Sequence, residues 1–549
     1  MEGETRVTHK RTPTHRGLRI CNGQGLKRML EVGTAWLERN VDAINTLNVF
    51  PVPDGDTGTN MFLTMQAAMK EIAASPEHSV SSIAHKVAYG SLMGARGNSG
   101  VILSQFFRGI DKALEGKMSF TAADLAAAMA EGSATAYKGV LKPVEGTILT
   151  VARDAATAAQ SAAATNKDLR YLLERIVEAA RVSVAHTPEL LPVLKSAGVV
   201  DAGGQGLYVI LEGMLHYLHG ETVEEATAAL AEAVDLHPHE GGYGYDTQFI
   251  LQGRDLNVEA IRAHIASLGD STLVVGDRSL IKVHVHSPTP GVVLDYGISM
   301  GSVSKVIIEN LQEQYQEFMI QQPAVSGIEE ITDIATVVVA AGKGLTEIFR
   351  TLGVSAIVPG GQTMNPSTEE MLQVVNQLTK DQVIILPNNK NIIMVAQQVQ
   401  QVSDKQVLVV PTRTIPQGIS ALLAFKYDAD LETNAAAMEA AIDLVETAEV
   451  TQAVRSVDIN GLAIEEGQII GLLNGQLVTA GTDKEAIAHD LLARMDAVEC
   501  EIITVYYGNA VDRPQAEGLA TSIQERYPDQ EVELLEGGQP HYCYIISAE

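Results

Sequence analysis

Two aspartates flank a single glycine in NVFPVPDGDTGTNM, Asn48 to Met61, a stretch that concentrates more usable chemistry than its neighbours. Gly55 and Gly58 let the backbone take turns that other residues resist, so Asp54 and Asp56 can be aimed at one point. Carboxylate oxygens are the ligands Mg²⁺ prefers, and the ion commonly takes one or two of them while water or substrate phosphates fill its other positions. The reaction served by such a loop is phosphoryl transfer. Taken alone, the triplet fits better an Asx turn leading into a helix that begins near Asn60, because Asp-Gly pairs are ordinary turn formers.

Other loops of the same N-terminal part reverse that weighting. Gly97-Asn98-Ser99-Gly100, Glu145-Gly146-Thr147 and Asp201-Ala202-Gly203-Gly204 could each present backbone N–H groups at a helix N-terminus, where unpaired donors and the helix dipole stabilise a phosphate. One such loop is weak, since glycine also permits close helix packing; four on one bundle suggest a phosphate-binding rim. There is no GxxxxGK[ST] loop and no HRD or DFG set, so neither common nucleotide-binding fold applies. A second constellation is His284 and His286 in IKVHVHS. A strand puts them on one face, where two imidazoles can chelate a transition metal or simply line a partly exposed sheet.

Positioning these loops requires a helical domain. From Gly25 to about Gly220 the sequence runs in Ala-rich amphipathic stretches such as AADLAAAMAEGSATAYKGVL, with the Gly-rich loops between them. A boundary near EAVDLHPHEGGYGYDTQ opens a small α+β module, about residues 238–322, in which TQFILQG, STLVVGD and LIKVHVHS read as strands around the helical NVEAIRAHIASLG. From 325 to 549 apolar strands (TVVVAAG, SAIVPGG, VIILPNN, VLVVPT) alternate with helices, the pattern of βαβ units in a parallel sheet. A second strand-rich block follows in QIIGLLNGQLVTAG, EIITVYYG and HYCYIISAE.

Composition narrows the function classes. With 68 acidic against 39 basic residues the formal charge is -29, which repels nucleic acid and anionic lipid. Residues 1–20 are basic, are expected to be a disordered extension, and lack the apolar run of a secretory signal; with no stretch of about 18 apolar residues, a soluble cytoplasmic protein is expected. Cys21, Cys500 and Cys543 lack CxxC spacing and read as incidental thiols.

The order DGDTGTNM, GNSG, EGT and DAGG resembles the ATP-binding subunit of dihydroxyacetone kinases. That resemblance implies a barrel of antiparallel helices in which an acidic loop holds magnesium ions. Asp54 and Asp56 match its metal ligands, and Asn48 is the nearest match, offset by one, to a third. Thr57, Gly58, Asn60, Gly97, Asn98, Ser99, Gly100, Thr147, Asp201, Ala202 and Gly203 fall where nucleotide contacts are expected. Further on, GKGLTEIFRTLG, IVPGGQTMNPSTEE, LPNNKN and VPTRTIPQGISALLAF resemble bacterial fatty acid kinase catalytic subunits, extending the match from about Asn22 to Glu549.

Membership of that branch would imply a multidomain chain: an all-α helical barrel kinase domain (21–220), a small α+β middle domain (238–322) and a C-terminal α/β, DegV-like domain (325–549) that engages a fatty-acid-binding carrier. ATP and Mg²⁺ would be the cofactors, acyl phosphate and ADP the products, and phospholipid synthesis their destination. The family's middle module carries a metal-binding cysteine in a YGYC-type motif; Asp246 of GYGYDTQ stands there, giving an Asp246, His284, His286 site for a structural zinc. The loops GKGL, GGQTMNPS, NNKN and TRTIPQG, with Arg350 and Arg413, are expected at a carrier-docking edge or as plain βα connections. A homodimer is compatible with the sequence. The rivals are a small-polyol kinase, which leaves the long α/β half without a task, and a non-catalytic lipid-carrier scaffold, against which the Asp54–Asp56 pair argues.

Overall fold

The computed structural model describes residues 18–48, 55–140, 142–220, 332–362, 364–459 and 462–549, and, within 245–310, all but 254, 255, 269, 277, 279 and 288. The chain falls into two compact units, one formed by its N- and C-terminal parts together and one, residues 229–326, between them in sequence.

The N-terminal part is helical: α1 (Gly23–Asn45), α2 (Thr57–Ala73), α3 (Val80–Met93), α4 (Gly97–Leu114), α5 (Ala122–Lys138), α6 (Ile148–Thr165), α7 (Leu169–Leu190), the short α8 (Pro192–Ala197) and α9 (Ala202–His219). Local chemistry sets many of these starts. Asn22, Ser79, Asp168 and Asp201 accept from the first-turn amides of α1, α3, α7 and α9, and Thr121 with Asp124 forms a complete capping box on α5. A two-residue antiparallel pairing of β1 (Cys21–Asn22) with β2 (Ser119–Phe120) ties the chain ahead of α1 to the chain ahead of α5. Each long helix packs on the next, and α9 closes back onto α1. Short connections make the neighbours antiparallel, so the ring is the expected helical barrel. Its centre is a continuous apolar cluster that includes Leu37, Ile44, Met61, Met65, Leu103, Val151 and Leu172, all of them fully or almost fully buried.

The middle unit is a four-stranded sheet, order β4-β5-β3-β6, built from β3 (Tyr245–Gln252), β4 (Asp270–Gly276), β5 (Leu280–Ser287) and β6 (Ser302–Asn310), with helices 258–266 and 290–300. The second of these helices and β6 were not anticipated. SVSKVIIEN completes the sheet by pairing antiparallel with β3.

In the C-terminal part β7 (Ile334–Ala340), β8 (Ala356–Pro359), β9 (Gln382–Leu386) and β10 (Gln406–Val409) form an all-parallel sheet in the order β10-β9-β7-β8. Continuous burial along β7 is what a sheet covered on both faces requires. Helices 343–351, 368–377 and 393–402 supply the crossovers. A second, six-stranded mixed sheet contains the strand-rich block 469–548 and also Glu446–Gln452, a strand whose Thr and Glu content hid it from hydropathy. No helix among the described residues is long and apolar enough to cross a membrane.

Candidate functional site

In an up-and-down ring alternate helices start at the same end, so α2, α4, α6 and α9 share one rim. Close contacts bear this out. A Cβ on Gly97, the first residue of α4, would lie 2.7 Å from Asn60 Nδ2 on α2; one on Gly206 of α9 would lie 2.5 Å from Met61 Sδ on α2; and one on Gly203 would lie 3.3 Å from Ile148 Cβ at the start of α6. Four helix N-termini, each the positive end of a dipole, therefore converge around the predicted loops.

Within that rim α2 begins at Thr57, three residues before the expected start, and Asp56 occupies its N-cap position. The Asp56 side chain makes no capping bond. Asn45, at the end of α1, does that work: its Oδ1 accepts from Gly58 N at 2.7 Å and from Thr59 N at 3.3 Å. Gly58 makes this approach feasible, because a Cβ there would meet Val41 O at 2.5 Å. The Asp56 carboxylate is thus not the cap of its own helix. Asn48 is also engaged locally, accepting from Thr57 Oγ1 at 2.9 Å. Asp54 lies outside the described residues.

Gly97 has φ +56°, a backbone region that favours glycine, and this bend starts α4 with Asn98, Ser99 and Gly100 in its first turn. Thr147 caps α6, accepting from Leu149 N at 3.4 Å. Beside it the Glu145 carboxylate accepts from Thr150, Tyr137 and Arg153; desolvation raises this carboxyl, but those bonds outweigh it and leave it below its ordinary value. Asp201 accepts from Gly204 N at 2.6 Å and from the Ile148 amide, joining the starts of α9 and α6. Ala202 and Gly203 are buried in the first turn of α9. Asp201 is therefore a brace of the rim.

Burial pushes the Asp201 carboxyl up from 3.8 to about 6, against the pull of those two amides. Between about pH 4 and 6 the folded chain then binds more protons than the unfolded one. Its contribution to stability is complete below about pH 4 and is lost as pH rises through about 6. Asp201→Asn keeps a good cap without the charge, so it should unfold later than wild type at pH 8, by about 1–2 kcal/mol, with the gain vanishing near pH 4. Denaturant melts at both pH values check this; parallel curves would contradict it.

Sequence reasoning missed the residues that reach the rim from the C-terminal part. Asn365, in the GGQTMNPS loop after β8, donates from Nδ2 to Asp56 Oδ2 at 2.5 Å. Arg96, just before α4, donates to Asn365 O at 2.8 Å and pairs with Glu370 at 2.7 Å, while Asn98 Nδ2 reaches Asn391 Oδ1 at 3.4 Å. Arg455 Nη1 donates to Thr46 O, after α1, at 2.7 Å. The GGQTMNPS and NNKN loops, expected at a carrier-docking edge or as plain βα connections, are met by the chain's own helical domain through Asn365 and Asn391. The one local signal was the S-x-x-E box of Ser367 and Glu370, which marks a helix start but not its distant partner. Of the two candidate docking arginines, Arg350 is paired with Glu347 in its own helix.

Asp56 and a neutral amide suit a hard cation that takes few protein ligands, as Mg²⁺ does. Asn365 Oδ1, buried with no hydrogen-bond partner among the described residues, adds an oxygen that such an ion could complete. Among the described residues no three His, Cys, Asp or Glu side chains converge as a metal cluster. In the middle unit the strand register sets Asp246 opposite His286 and Gln248 opposite His284.

Residues 51–216 match the family model described as the DAK2 domain, residues 242–318 that of the FakA-like fatty acid kinase middle domain, and residues 335–549 that of the FakA-like fatty acid kinase C-terminal domain. The chain is 41% identical to protein YloV of Bacillus subtilis over 551 residues, 97% of this chain and 100% of that one. An uncharacterized protein of Staphylococcus aureus is 41% identical over 543 residues, 96% of this chain and 99% of its own. Among solved structures, DegV, a fatty acid binding protein from Bacillus subtilis, is similar to 40% of this chain over 99% of its own length, at 13% identity and a TM-score of 0.32. The dihydroxyacetone kinase from C. freundii in complex with AMP-PNP and Mg²⁺ is similar to 40% of this chain over 38% of its own, at 18% identity and a TM-score of 0.29. Matched along all three of its segments and 41% identical to a relative over nearly its whole length, the chain belongs to the FakA-like fatty acid kinase family.

Proposed function

We propose that this chain is the ATP-dependent phosphotransferase of a two-component fatty acid kinase, transferring the γ-phosphoryl group to the carboxylate of a fatty acid held by a separate carrier and yielding acyl phosphate and ADP. The observation that carries the reading is the rim itself, where four helix N-termini meet and the aspartate that precedes α2 does not cap its own helix. The division of labour follows the segments: residues 21–220 hold nucleotide, 325–549 meet the carrier, and 238–322 carry no chemistry of the transfer.

The acceptor needs little activation, since a carboxyl group that titrates near about 4.3 is ionised at pH 7 and no general base is required. The obstacle is electrostatic, an anion approaching a triphosphate. Bound Mg²⁺ would supply neutralisation of the phosphate oxygens. Asp56 and Asp54 are the residues to hold it, with Asn48 close by through Thr57. The first-turn amides of α4, which open with Gly97, Asn98, Ser99 and Gly100 and meet no capping side chain, are suited to the nucleotide phosphates. Gly97, lacking a side chain beside Asn60, leaves backbone close to the ligand. Residues Asp201, Ala202 and Gly203 hold the far side of the rim in register.

ADP release from ATP and Mg²⁺ should require both a fatty acid and its carrier. Turnover of dihydroxyacetone at a comparable rate without the carrier would favour the polyol kinase instead, and no turnover with any acceptor would favour the scaffold.

For the middle unit we propose a structural transition-metal site at Asp246, His284 and His286. Its support is the register, which pairs position 246 with 286, and strand periodicity, which puts 284 and 286 on one side of the sheet. An oxygen ligand beside two imidazoles suits zinc, with less selectivity than a thiolate would give. Elemental analysis of protein purified without a histidine tag should find about one transition metal per chain, absent in His284→Ala. Metal-free, stable wild-type protein would contradict the site.

A further inference from the structure

The Asp56 carboxylate is met by a residue from the other end of the sequence. Asn365 is 3% exposed, donates through Nδ2 to Asp56 Oδ2, and leaves Oδ1 buried without a hydrogen-bond partner among the described residues. A buried acceptor left unpaired costs about 1–3 kcal/mol, so one that persists at a polar site calls for a ligand, ion or water. The amide lies against the phosphate rim: a Cβ on Gly97 would come within 3.6 Å of Asn365 Nδ2.

The loop that carries Asn365 is fastened on both sides. Arg96 holds its carbonyl oxygen and the Glu370 carboxylate, Thr368 N donates to Ala95 O at 3.3 Å, and Asn98 reaches Asn391. Behind these polar ties Ala95 and Val101 of the helical part are buried in the apolar core of the parallel sheet, among Val337, Ile385 and Ile392. The helical and α/β parts thus share a core where the rim meets the sheet's loops. A loosely tethered carrier-docking module would not need this arrangement.

We propose that Asn365 is a positioning residue of the phosphoryl-transfer site, contributed by the C-terminal half. It fixes the orientation of Asp56 and brings a neutral oxygen within one amide's width of that carboxylate, so the site is complete only when the α/β half is seated on the rim. Carboxylate plus amide oxygen is a donor set for a hard divalent cation. The inference rests on the kinase reading and assigns a part of it to a residue outside the nucleotide-binding domain.

The test is Mn²⁺ binding, followed by electron paramagnetic resonance on the full chain with a non-hydrolysable ATP analogue. Asn365→Ala should weaken Mn²⁺ about tenfold. Asn365→Asp, of nearly the same shape, should bind it at least as tightly as wild type, because a second carboxylate repels Asp56 until a cation is present. Glu370→Gln loosens the domain contact without touching Asp56 and should change Mn²⁺ affinity less than twofold. Wild-type affinity in Asn365→Ala, or weakening in Asn365→Asp equal to that in the alanine variant, would overturn the positioning role. So would a full loss reproduced by Glu370→Gln, which would reduce the contact to docking. If wild type itself binds no Mn²⁺ with nucleotide, the kinase reading falls and this inference with it.

Discussion

Asp56→Ala is expected to lower phosphoryl transfer at least about a hundredfold while the fold survives. The side chain is not a cap, so helix α2 keeps its start: Asn45 continues to accept from Gly58 N and Thr59 N, and Asn60 N continues to bond Asp56 O at 2.8 Å. The losses include the acceptor for Asn365 Nδ2, a change of about 1 kcal/mol, and the charge that would hold the metal. Asp56→Asn retains the shape and a hydrogen-bonding oxygen, and it should be nearly as inactive, because charge is the function at issue. Turnover at saturating Mg²⁺, measured alongside thermal melts, separates the two effects. Near-normal turnover, or a loss that merely tracks unfolding, would count against the assignment. The same result is expected for Asp54→Ala.

Gly97→Val should be the next most damaging single change. At φ +56° a β-branched side chain is strained by about 1–3 kcal/mol, and its Cβ would sit 2.7 Å from Asn60 Nδ2, in the space proposed for nucleotide phosphate. Nucleotide affinity should fall tenfold or more. Gly139→Ala is a useful contrast: its Cβ would also meet a neighbour closely, Gln105 Cγ at 2.9 Å, but at ordinary φ and at the C-terminal end of α5. Calorimetric titration with an ATP analogue should therefore show a loss for the rim glycine and near-normal affinity for the control. Equal affinities in Gly97→Val and wild type would mean that the start of α4 does not hold phosphate.

These expectations separate what local sequence could and could not disclose. Capping is a relation among residues two or three apart, so Asp201 with Gly204 and Thr121 with Asp124 are written into neighbouring letters, although the one start expected at a stated residue, near Asn60, lies three residues late. The parallel sheet was legible because its strands are continuous apolar runs, as in IATVVVA. Convergence of the Gly-rich loops followed from alternation in an up-and-down ring. Hidden relations were those between distant elements. Asn45 caps α2 from the preceding helix, and the helix starts at Thr57 rather than near Asn60. Asn365 reached Asp56 across 309 positions, and Arg96 reached Glu370 across 274. No period or motif encodes such a meeting, because it is decided by which surfaces pack.

Hydropathy also failed where burial is only one-sided or the strand is polar. ETAEVTQ, to which its sequence assigns no element, lies between two antiparallel partners in the six-stranded sheet, with Ala448 and Val450 inward. Its Glu449 carboxyl is pushed up to about 7 by burial, in spite of the nearby Lys390 charge and a bond from Tyr542. A charged letter in the middle of a sheet is the kind of exception that composition cannot anticipate.

Whether the acceptor is a carboxylate is tested most directly by trapping the product. The full chain, incubated with Mg²⁺, ATP and a fatty-acid-loaded carrier in neutral hydroxylamine, should convert the acyl phosphate into a fatty hydroxamate in step with ADP. Asp56→Ala should form neither. ADP accumulating with no hydroxamate, or phosphate recovered on a hydroxyl acceptor instead, would contradict the account.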